Sequence, residues 1–256
     1  MKKLRCVIYM CLVSAMLLLS FSLSVCAAEK KQPLTISVDG FFYQTITMDD
    51  VYFDPSRDFS AATTHYNPRL ARASTMISLA VLREKDRISV PAAFGFENIH
   101  AAVFPISGEE PLCTTNYVLG EQKITRNGKP CTLLLAAITP GCECGVYFEA
   151  NVDFLTDKDN PGTPDLTSGR VRSFTDAAEL IYSGYGVDFS LADKLDALEA
   201  SGEDYIVWIT GYSRGAAVAN YLGKLLIDRY GTEHVSCYCA ATPNVDRAAA
   251  DSGKSS

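Results

Sequence analysis

The chain of 256 residues carries 30 acidic and 23 basic residues, which gives a formal net charge of −7, and 48% of its residues are hydrophobic. This acidic balance argues against a nucleic-acid partner, because phosphate backbones are bound by clustered lysine and arginine. The length suits one sizeable α/β domain, although enzymes of that class are commonly longer.

The first residues are typical of a secretory signal peptide. A basic start is followed by an almost wholly apolar run over residues 6–25 and by small residues at positions 26–28. This order predicts that residues 1–28 are removed after the last alanines and that residues 29–256 form a single exported domain. A membrane-spanning helix is the alternative for the apolar run. A lipid anchor on Cys26 is disfavoured, because valine precedes it where a small residue is expected.

The next segments predict short elements that pack on a sheet. Residues 32–60 alternate weakly between apolar and polar, which indicates a pair of short strands or an extended arm, and residues 70–82 have apolar side chains at helical spacing. The dipeptide Asn127-Gly128 stands between apolar runs and predicts a hairpin turn. Residues 131–138 form the apolar strand after that turn.

A turn-rich run over residues 139–145 follows this strand. In hydrolases with a nucleophilic serine, a loop at such a place supplies the second amide that binds the oxyanion. Gly141, or else Thr139, is our candidate for that donor. The alternative is that this run is an ordinary turn after the strand, without a role in binding an oxyanion.

The segment around Ser213 carries the strongest functional signal in the sequence. Helices predicted over residues 171–183 and 191–200 precede an apolar strand that begins at Tyr205. Ser213 then stands between Gly211 and Gly215, and a helix follows over residues 214–230. This order predicts a nucleophile elbow, in which a strained strand-to-helix turn presents the serine hydroxyl. Ser213 is the candidate nucleophile and the amide of Arg214 is the candidate first oxyanion donor. A structural Gly-Ser turn is the alternative.

The base and acid that such a serine needs are not evident. A serine hydroxyl attacks only when a base takes its proton, and the chain order in this fold is serine, then acid, then histidine. Only His234 follows Ser213, and a helix about 24 Å long separates them, which places His234 at the far edge of the sheet. His65 and His100 precede the serine, and Asp246 follows the next predicted strand too closely to serve well as the acid. We therefore expect that both groups are missing and that this chain is inactive or nearly so.

The cysteines and glycines do not predict a metal or cofactor site. Cys142 and Cys144 lack the second pair of ligands that zinc requires. Neither glycine-rich nucleotide motif, GxGxxG or GxxxxGK[ST], occurs in the chain. Cys237 and Cys239 alternate in a strand predicted over residues 235–241 and should share one face, where a disulfide and free thiols both remain open.

Residues 208–220, the helix after them and the run 241–245 resemble the class 3 (fungal-type) lipases of the α/β-hydrolase fold. The resemblance covers residues 131–245. It implies an α/β fold with a mostly parallel sheet and helices on both faces, incomplete at the C-terminus, with the catalytic aspartate and histidine beyond residue 245. It also implies a secreted hydrolase of carboxylic esters or lipids that makes transient contact with a lipid surface. A non-catalytic exported protein that retains the elbow is the alternative.

Overall fold

The computed structural model describes residues 33–39, 44–60, 65–105, 114–141, 164–165 and 170–242. All of them lie in the second of the chain's two compact units, Pro33–Ser256. The predicted signal peptide, the Cys142 and Cys144 pair, and Asp246 lie outside the described residues.

Nine strands and six α-helices are found in these ranges. The strands are β1 (Leu34–Asp39), β2 (Thr45–Val51), β3 (Glu97–Pro105), β4 (Thr114–Arg126), β5 (Lys129–Gly141), β6 (Pro164–Asp165), β7 (Arg170–Val171), β8 (Asp204–Tyr212) and β9 (Val235–Ala240). The helices are α1 (Pro55–Asp58), α2 (Pro68–Ala80), α3 (Glu84–Ala93), α4 (Arg172–Ser183), α5 (Leu191–Ser201) and α6 (Arg214–Tyr230). A 3-10 turn, Thr232–His234, leads from α6 into β9. Among the helices of the described ranges, none is long and apolar enough to cross a membrane.

The central sheet has five strands in the order β3-β4-β5-β8-β9. The fold is α/β, as predicted, but the sheet is mixed rather than mostly parallel, because β3, β4 and β5 are antiparallel while β5, β8 and β9 are parallel. The antiparallel half follows from the predicted hairpin, in which Asn127 and Gly128 have φ of 52° and 77°. Positive φ at both central residues matches the twist of the flanking strands and joins β4 directly to β5. The parallel half needs crossovers, and α4, α5 and α6 supply them.

One face of the sheet is covered by α2 and α3 and is centred on Trp208. The Trp208 ring stacks on Phe53 at 5.2 Å between centroids and meets Phe59 edge-on at 5.6 Å. Its indole nitrogen donates to Ser74 Oγ on α2 at 2.9 Å. The Trp208 ring is buried, and its only hydrogen-bond donor has a partner on α2. These contacts hold α2 against the middle of β8.

The opposite face is covered by α4, α5 and α6, and its core combines aromatic and leucine side chains with several alanines. Alanines on α4 and α6 are buried between the helices and the sheet (Ala177, Ala178, Ala217 and Ala219). Small side chains let α6 approach β8 closely. Helices therefore lie on both faces of the sheet, which confirms that part of the fold prediction.

Helix α3 was not predicted from the sequence. It carries buried polar residues, Asp86 and Arg87, and a proline, Pro91, in its last turn. Arg87 Nε donates to the carbonyl oxygen of Val81 at 2.9 Å, which satisfies a charge that would be costly to bury alone. Since the apolar periodicity is broken at these positions, the sequence gives no helical signal there.

Candidate active site

Ser213 lies at the turn between β8 and α6, with φ of 53° and ψ of −129°. Positive φ is unfavourable for a residue with a Cβ and costs on the order of 1–3 kcal/mol. The side chain makes no capping hydrogen bond to α6 and is partly exposed. The strand-to-helix turn therefore has the predicted form, and it leaves the hydroxyl outside the helix.

The two glycines of the motif are required by close backbone contact. A Cβ on Gly211 would lie 2.7 Å from Ala216 Cα, and one on Gly215 would lie 2.5 Å from Thr139 Cα. Real Cβ atoms do not approach this closely, so any side chain would force the backbone apart. The contact of Gly215 with Thr139 also brings the end of β5 against the elbow.

The amide of Arg214 is at the start of α6, where backbone donors are not used by the helix. The first intrahelical bond recorded in α6 is from Ala216 N to Ser213 O at 2.9 Å, so the amides of Arg214 and Gly215 come before it. The amino end of a helix also carries partial positive charge, which favours a developing negative charge nearby. The position of Arg214 therefore suits the predicted oxyanion donor, while its own side chain is buried.

The second predicted donor lies at the end of β5. Thr139 is fully buried, and its Oγ1 atom has no hydrogen-bond partner in the described part of the chain. Gly141 is the last residue of β5 and pairs with Thr114. Of the two alternatives, Thr139 is the residue that contacts the elbow directly through Gly215.

The nucleophile turn is tied to β9 by one backbone hydrogen bond. Ser213 N donates to Ala240 O at 2.9 Å, at the last residue of β9. This bond extends the parallel pairing of β8 with β9, which ends at Tyr212 opposite Ala240. The position of Ser213 therefore depends on the end of β9 as well as on α6.

His234 lies at the opposite end of β8 from Ser213. Its Nδ1 atom is 3.0 Å from the carbonyl oxygen of Tyr205, and its ring stacks on the Tyr205 ring at 4.1 Å. Eight residues of extended strand separate Tyr205 from Ser213, which is about 26 Å. His234 is therefore far from the elbow, as the sequence predicted.

The other two histidines also lie away from Ser213. His100 lies on β3 and pairs with Leu119 on β4. Strand β3 is three strands from β8, roughly 14 Å across the sheet. The His100 ring contacts Phe189, with 5.3 Å between the ring centroids. His65 lines a cavity beside β9 with Ser236 and Tyr238, which pair with β8 residues upstream of the elbow. His100 and His234 are therefore not placed as the base for Ser213.

Buried hydroxyl groups below the elbow were not predicted from the sequence. Thr210 Oγ1, three residues before Ser213, is 2.6 Å from Ser78 Oγ and donates to Ser74 O at 2.9 Å. These bonds connect the last turns of α2 to the end of β8. The only sequence signal is that Ser74 and Ser78 are four residues apart among apolar positions of a helix, which does not identify their partner.

Among the described residues, no group of three or more His, Cys, Asp or Glu side chains is placed to hold a metal ion. Cys142 and Cys144 lie outside that part of the chain, so the structure does not test the pair. The arrangement around Ser213 instead offers a hydroxyl, backbone amide donors and small flanking residues.

One family of known proteins matches part of the chain. Residues 149–254 match the family described as Lipase (class 3), which confirms the predicted resemblance over that part of the chain. The curated proteins give no significant match.

Solved fungal lipases are also similar to the chain. The lipase from Rhizopus microsporus var. chinensis has 16% identity and a TM-score of 0.42, with 75% of this chain and 65% of that chain covered. Lipase II from Rhizopus niveus has 16% identity and a TM-score of 0.41, with 71% and 65% covered. A fungal lipase–inhibitor complex has 16% identity and a TM-score of 0.44, with 72% and 65% covered. The chain thus spans about 65% of the length of these lipases.

Proposed function

We propose that the chain is a lipase-like hydrolase of carboxylic esters with Ser213 as its nucleophile, because residues 149–254 match the family described as Lipase (class 3). The single observation that carries the proposal is the strained backbone conformation of Ser213, which lies between β8 and α6 and has a φ of 53°. Strain of this kind persists where the surrounding structure imposes it, and it is concentrated at functional sites. A regular helix start needs no such conformation.

In this proposal Ser213 Oγ attacks the ester carbonyl carbon, and the carbonyl oxygen becomes an oxyanion. The amide of Arg214 is one donor to it. The end of β5 supplies a second donor, through Gly141 or Thr139. Donors held in place before the reaction stabilise the transition state without reorganisation, and loss of one typically costs about 10²–10³ in rate.

We further propose that this chain turns over slowly, because neither His100 nor His234 lies near Ser213. His234 and His100 are occupied in contacts far from the elbow. Without a base the serine hydroxyl stays un-ionised, and the remaining donors accelerate the reaction only about 10³–10⁴-fold over water. The placement of the histidines is also what favours the alternative, an exported protein that binds esters without cleaving them.

Chemical rescue of serine labelling tests the proposal. The chain is incubated with a fluorophosphonate probe and increasing imidazole, which supplies a small external base, and the adduct is located by peptide mass spectrometry. We expect slow labelling at Ser213 that rises with imidazole and is absent in Ser213→Ala. Rapid labelling without imidazole would show that a base within the chain had been overlooked.

A matched control is Ser236→Ala, because Ser236 is a buried serine on β9 away from the elbow. Its labelling should equal that of the unmodified chain. If no condition labels Ser213 while the variants remain folded, the nucleophile assignment fails and the binding alternative stands.

Export is the remaining part of the proposal. The basic start, the apolar run and the small residues at positions 26–28 support it. Expression in a secreting host should yield a mature protein that begins near residue 29, as read by N-terminal sequencing. Retention of the uncleaved segment in the membrane would instead favour the spanning alternative.

A further inference from the structure

Two thiols lie together on β9, the edge strand of the described sheet. Cys237 and Cys239 point to the same face, with their Sγ atoms 3.4 Å apart. Cys237 is exposed and Cys239 is half-buried. To reduce an external disulfide, a protein needs one accessible thiol that forms the mixed disulfide and a neighbouring thiol that then resolves it. The pair has both.

The thiols lie on β9 beside α6, and these two elements hold the turn at Ser213. Cys237 Sγ is 3.9 Å from the carbonyl oxygen of Ala219 on α6, and a Cβ on Gly223 of the same helix would be 3.7 Å from that sulfur. Ala240 directly follows Cys239, and its carbonyl oxygen accepts the hydrogen bond from Ser213 N. A change in β9 at the cysteines therefore acts on the bond that positions the serine.

Strand geometry sets how a disulfide would act. Residues two apart on a strand have Cα atoms about 6.4–6.8 Å apart, at the upper limit of about 6.8 Å for disulfides. The commonest Cα separation in disulfides is about 5.5–6 Å, so closing the bond favours a local shortening of β9. A disulfide formed under such strain is more easily reduced than a structural one.

We propose that Cys237 and Cys239 form a reversible dithiol–disulfide site whose closure shortens β9 and weakens the hydrogen bond from Ser213 to Ala240. The oxidant is a small-molecule disulfide such as oxidised glutathione. The site responds to the thiol–disulfide balance of the surroundings and does not depend on whether Ser213 is catalytic.

The reaction proceeds in two exchanges. The Cys237 thiolate attacks one sulfur of the small disulfide, the sulfur–sulfur bond breaks, and one small thiolate leaves. Cys239 then loses its proton to solvent and attacks the Cys237 sulfur, which expels the second small thiolate. Two protein thiols are oxidised to one disulfide, and one small disulfide is reduced to two thiols. The hydrogen bond with Cys237 and burial raise the pKa of Cys239, which makes the exposed Cys237 the first to react.

The sequence provides a direct assay. Trypsin cleavage after Arg229 and Arg247 gives a peptide of residues 230–247 that contains Cys237 and Cys239 and no other cysteine. The chain is equilibrated in glutathione buffers from reducing to oxidising, denatured, alkylated and digested. We expect this peptide to change from doubly alkylated to unalkylated and two hydrogen atoms lighter, with a midpoint inside the buffer range. A peptide that stays doubly alkylated in the most oxidising buffer overturns the proposal.

Two controls separate this reaction from general oxidation. Cys131 is buried at the start of β5 and should be alkylated at every ratio after denaturation. The variant Cys239→Ser should stop at one glutathione adduct on Cys237, because the second exchange is removed. If the unmodified chain also stops at that adduct, the pair does not close and the proposal is wrong.

Hydrogen exchange tests the effect on the elbow. In the oxidised chain the Ser213 amide should exchange up to about tenfold faster, the factor that corresponds to the net contribution of one hydrogen bond. The Cys239→Ser variant should show no such change between the same buffers. Equal exchange in the oxidised and reduced chain would overturn the coupling to Ser213.

Discussion

The two ends of β8 are held in opposite ways. At the carboxyl end, Ser213 is in a strained conformation and Gly215 packs its backbone against Thr139 with no room for a side chain. At the amino end, the Tyr205 ring stacks on His234, and its hydroxyl donates to Glu199 at 2.5 Å. Close packing defines the carboxyl end, whereas aromatic and polar contacts fix the amino end.

Further contacts at the amino end join distant parts of the chain. Arg126, at the end of β4, donates from Nε to Phe59 O at 3.1 Å and lies 3.3 Å from an oxygen of Asp204. Burial, followed by the hydrogen bond to Glu199, raises the pKa of Tyr205 above its ordinary value, so the hydroxyl stays a donor. A strand anchored in this way at one end allows the other end to hold an unfavourable turn.

The largest expected effect is from Gly215→Ala. The added Cβ would lie 2.5 Å from Thr139 Cα and 2.6 Å from the carbonyl oxygen of Ile138, and backbone atoms cannot move aside without separating α6 from β5. We expect a loss of about 3 kcal/mol or more in the free energy of unfolding. Urea unfolding followed by circular dichroism measures it.

Gly223→Ala in the same helix is the matched control. There the nearest atoms to an added Cβ are 3.7 Å away, which is ordinary contact. Because alanine is favoured over glycine inside a helix by about 0.5–1 kcal/mol, this variant should be as stable as the parent or slightly more so. Equal losses in the two variants would contradict the close contact at Gly215.

His234→Ala tests the amino end. It removes a stacked ring and a hydrogen bond to Tyr205 O, so we expect a loss of about 2 kcal/mol in the free energy of unfolding. Labelling of Ser213 by the fluorophosphonate probe should not change, since the two sites lie at opposite ends of β8. A fall in labelling without a matching fall in folded protein would mean that His234 takes part in the chemistry.

Ser213→Gly measures the strain at the carboxyl end. Glycine adopts positive φ without steric cost, although it loses more backbone entropy on folding. We expect Ser213→Gly to be about 1 kcal/mol more stable than Ser213→Ala, which keeps a Cβ at φ of 53°. Thermal unfolding of the two variants gives the difference, and a more stable alanine variant would indicate that the turn is not strained.

Stability should also depend on alkaline pH, with an effect that is small just above pH 9 and grows as the pH rises. Burial raises the pKa of Cys131 at the start of β5 from 9.0 to about 12. The unfolded thiol ionises near 9, so unfolding releases a proton above that pH, and the free energy of unfolding falls from about pH 9 to about pH 12. Below pH 9 this contribution is constant.

Cys131→Ala should reduce that slope when urea unfolding is repeated across the same pH range. Tyr117→Phe is the matched variant on β4, because burial also raises the pKa of Tyr117 to about 12. Each variant should flatten the decline in part. An unchanged slope in both would show that these groups are not ionised differently in the folded and unfolded chain.

The sequence predicted the elements that depend on neighbouring residues. The hairpin at Asn127 and Gly128 and the bounds of the elbow helix are as expected, because turn residues and small side chains act over a few positions. Helix α3 was missed, since its Asp86 and Arg87 are buried by contacts with other segments. The antiparallel pair β4 and β5 was predicted through its hairpin, whereas the order of the five described strands was not, because strand order depends on which apolar faces meet.

What the sequence determined by itself is the strand, the turn with Ser213 and the helix after it, because glycine and serine conformations are local properties. Only the tertiary structure decided the rest of the candidate site. It placed Thr139 against Gly215, and it placed the Cys237 and Cys239 pair on the strand that holds the Ser213 amide. These placements depend on contacts between residues far apart in the chain, which no local pattern encodes.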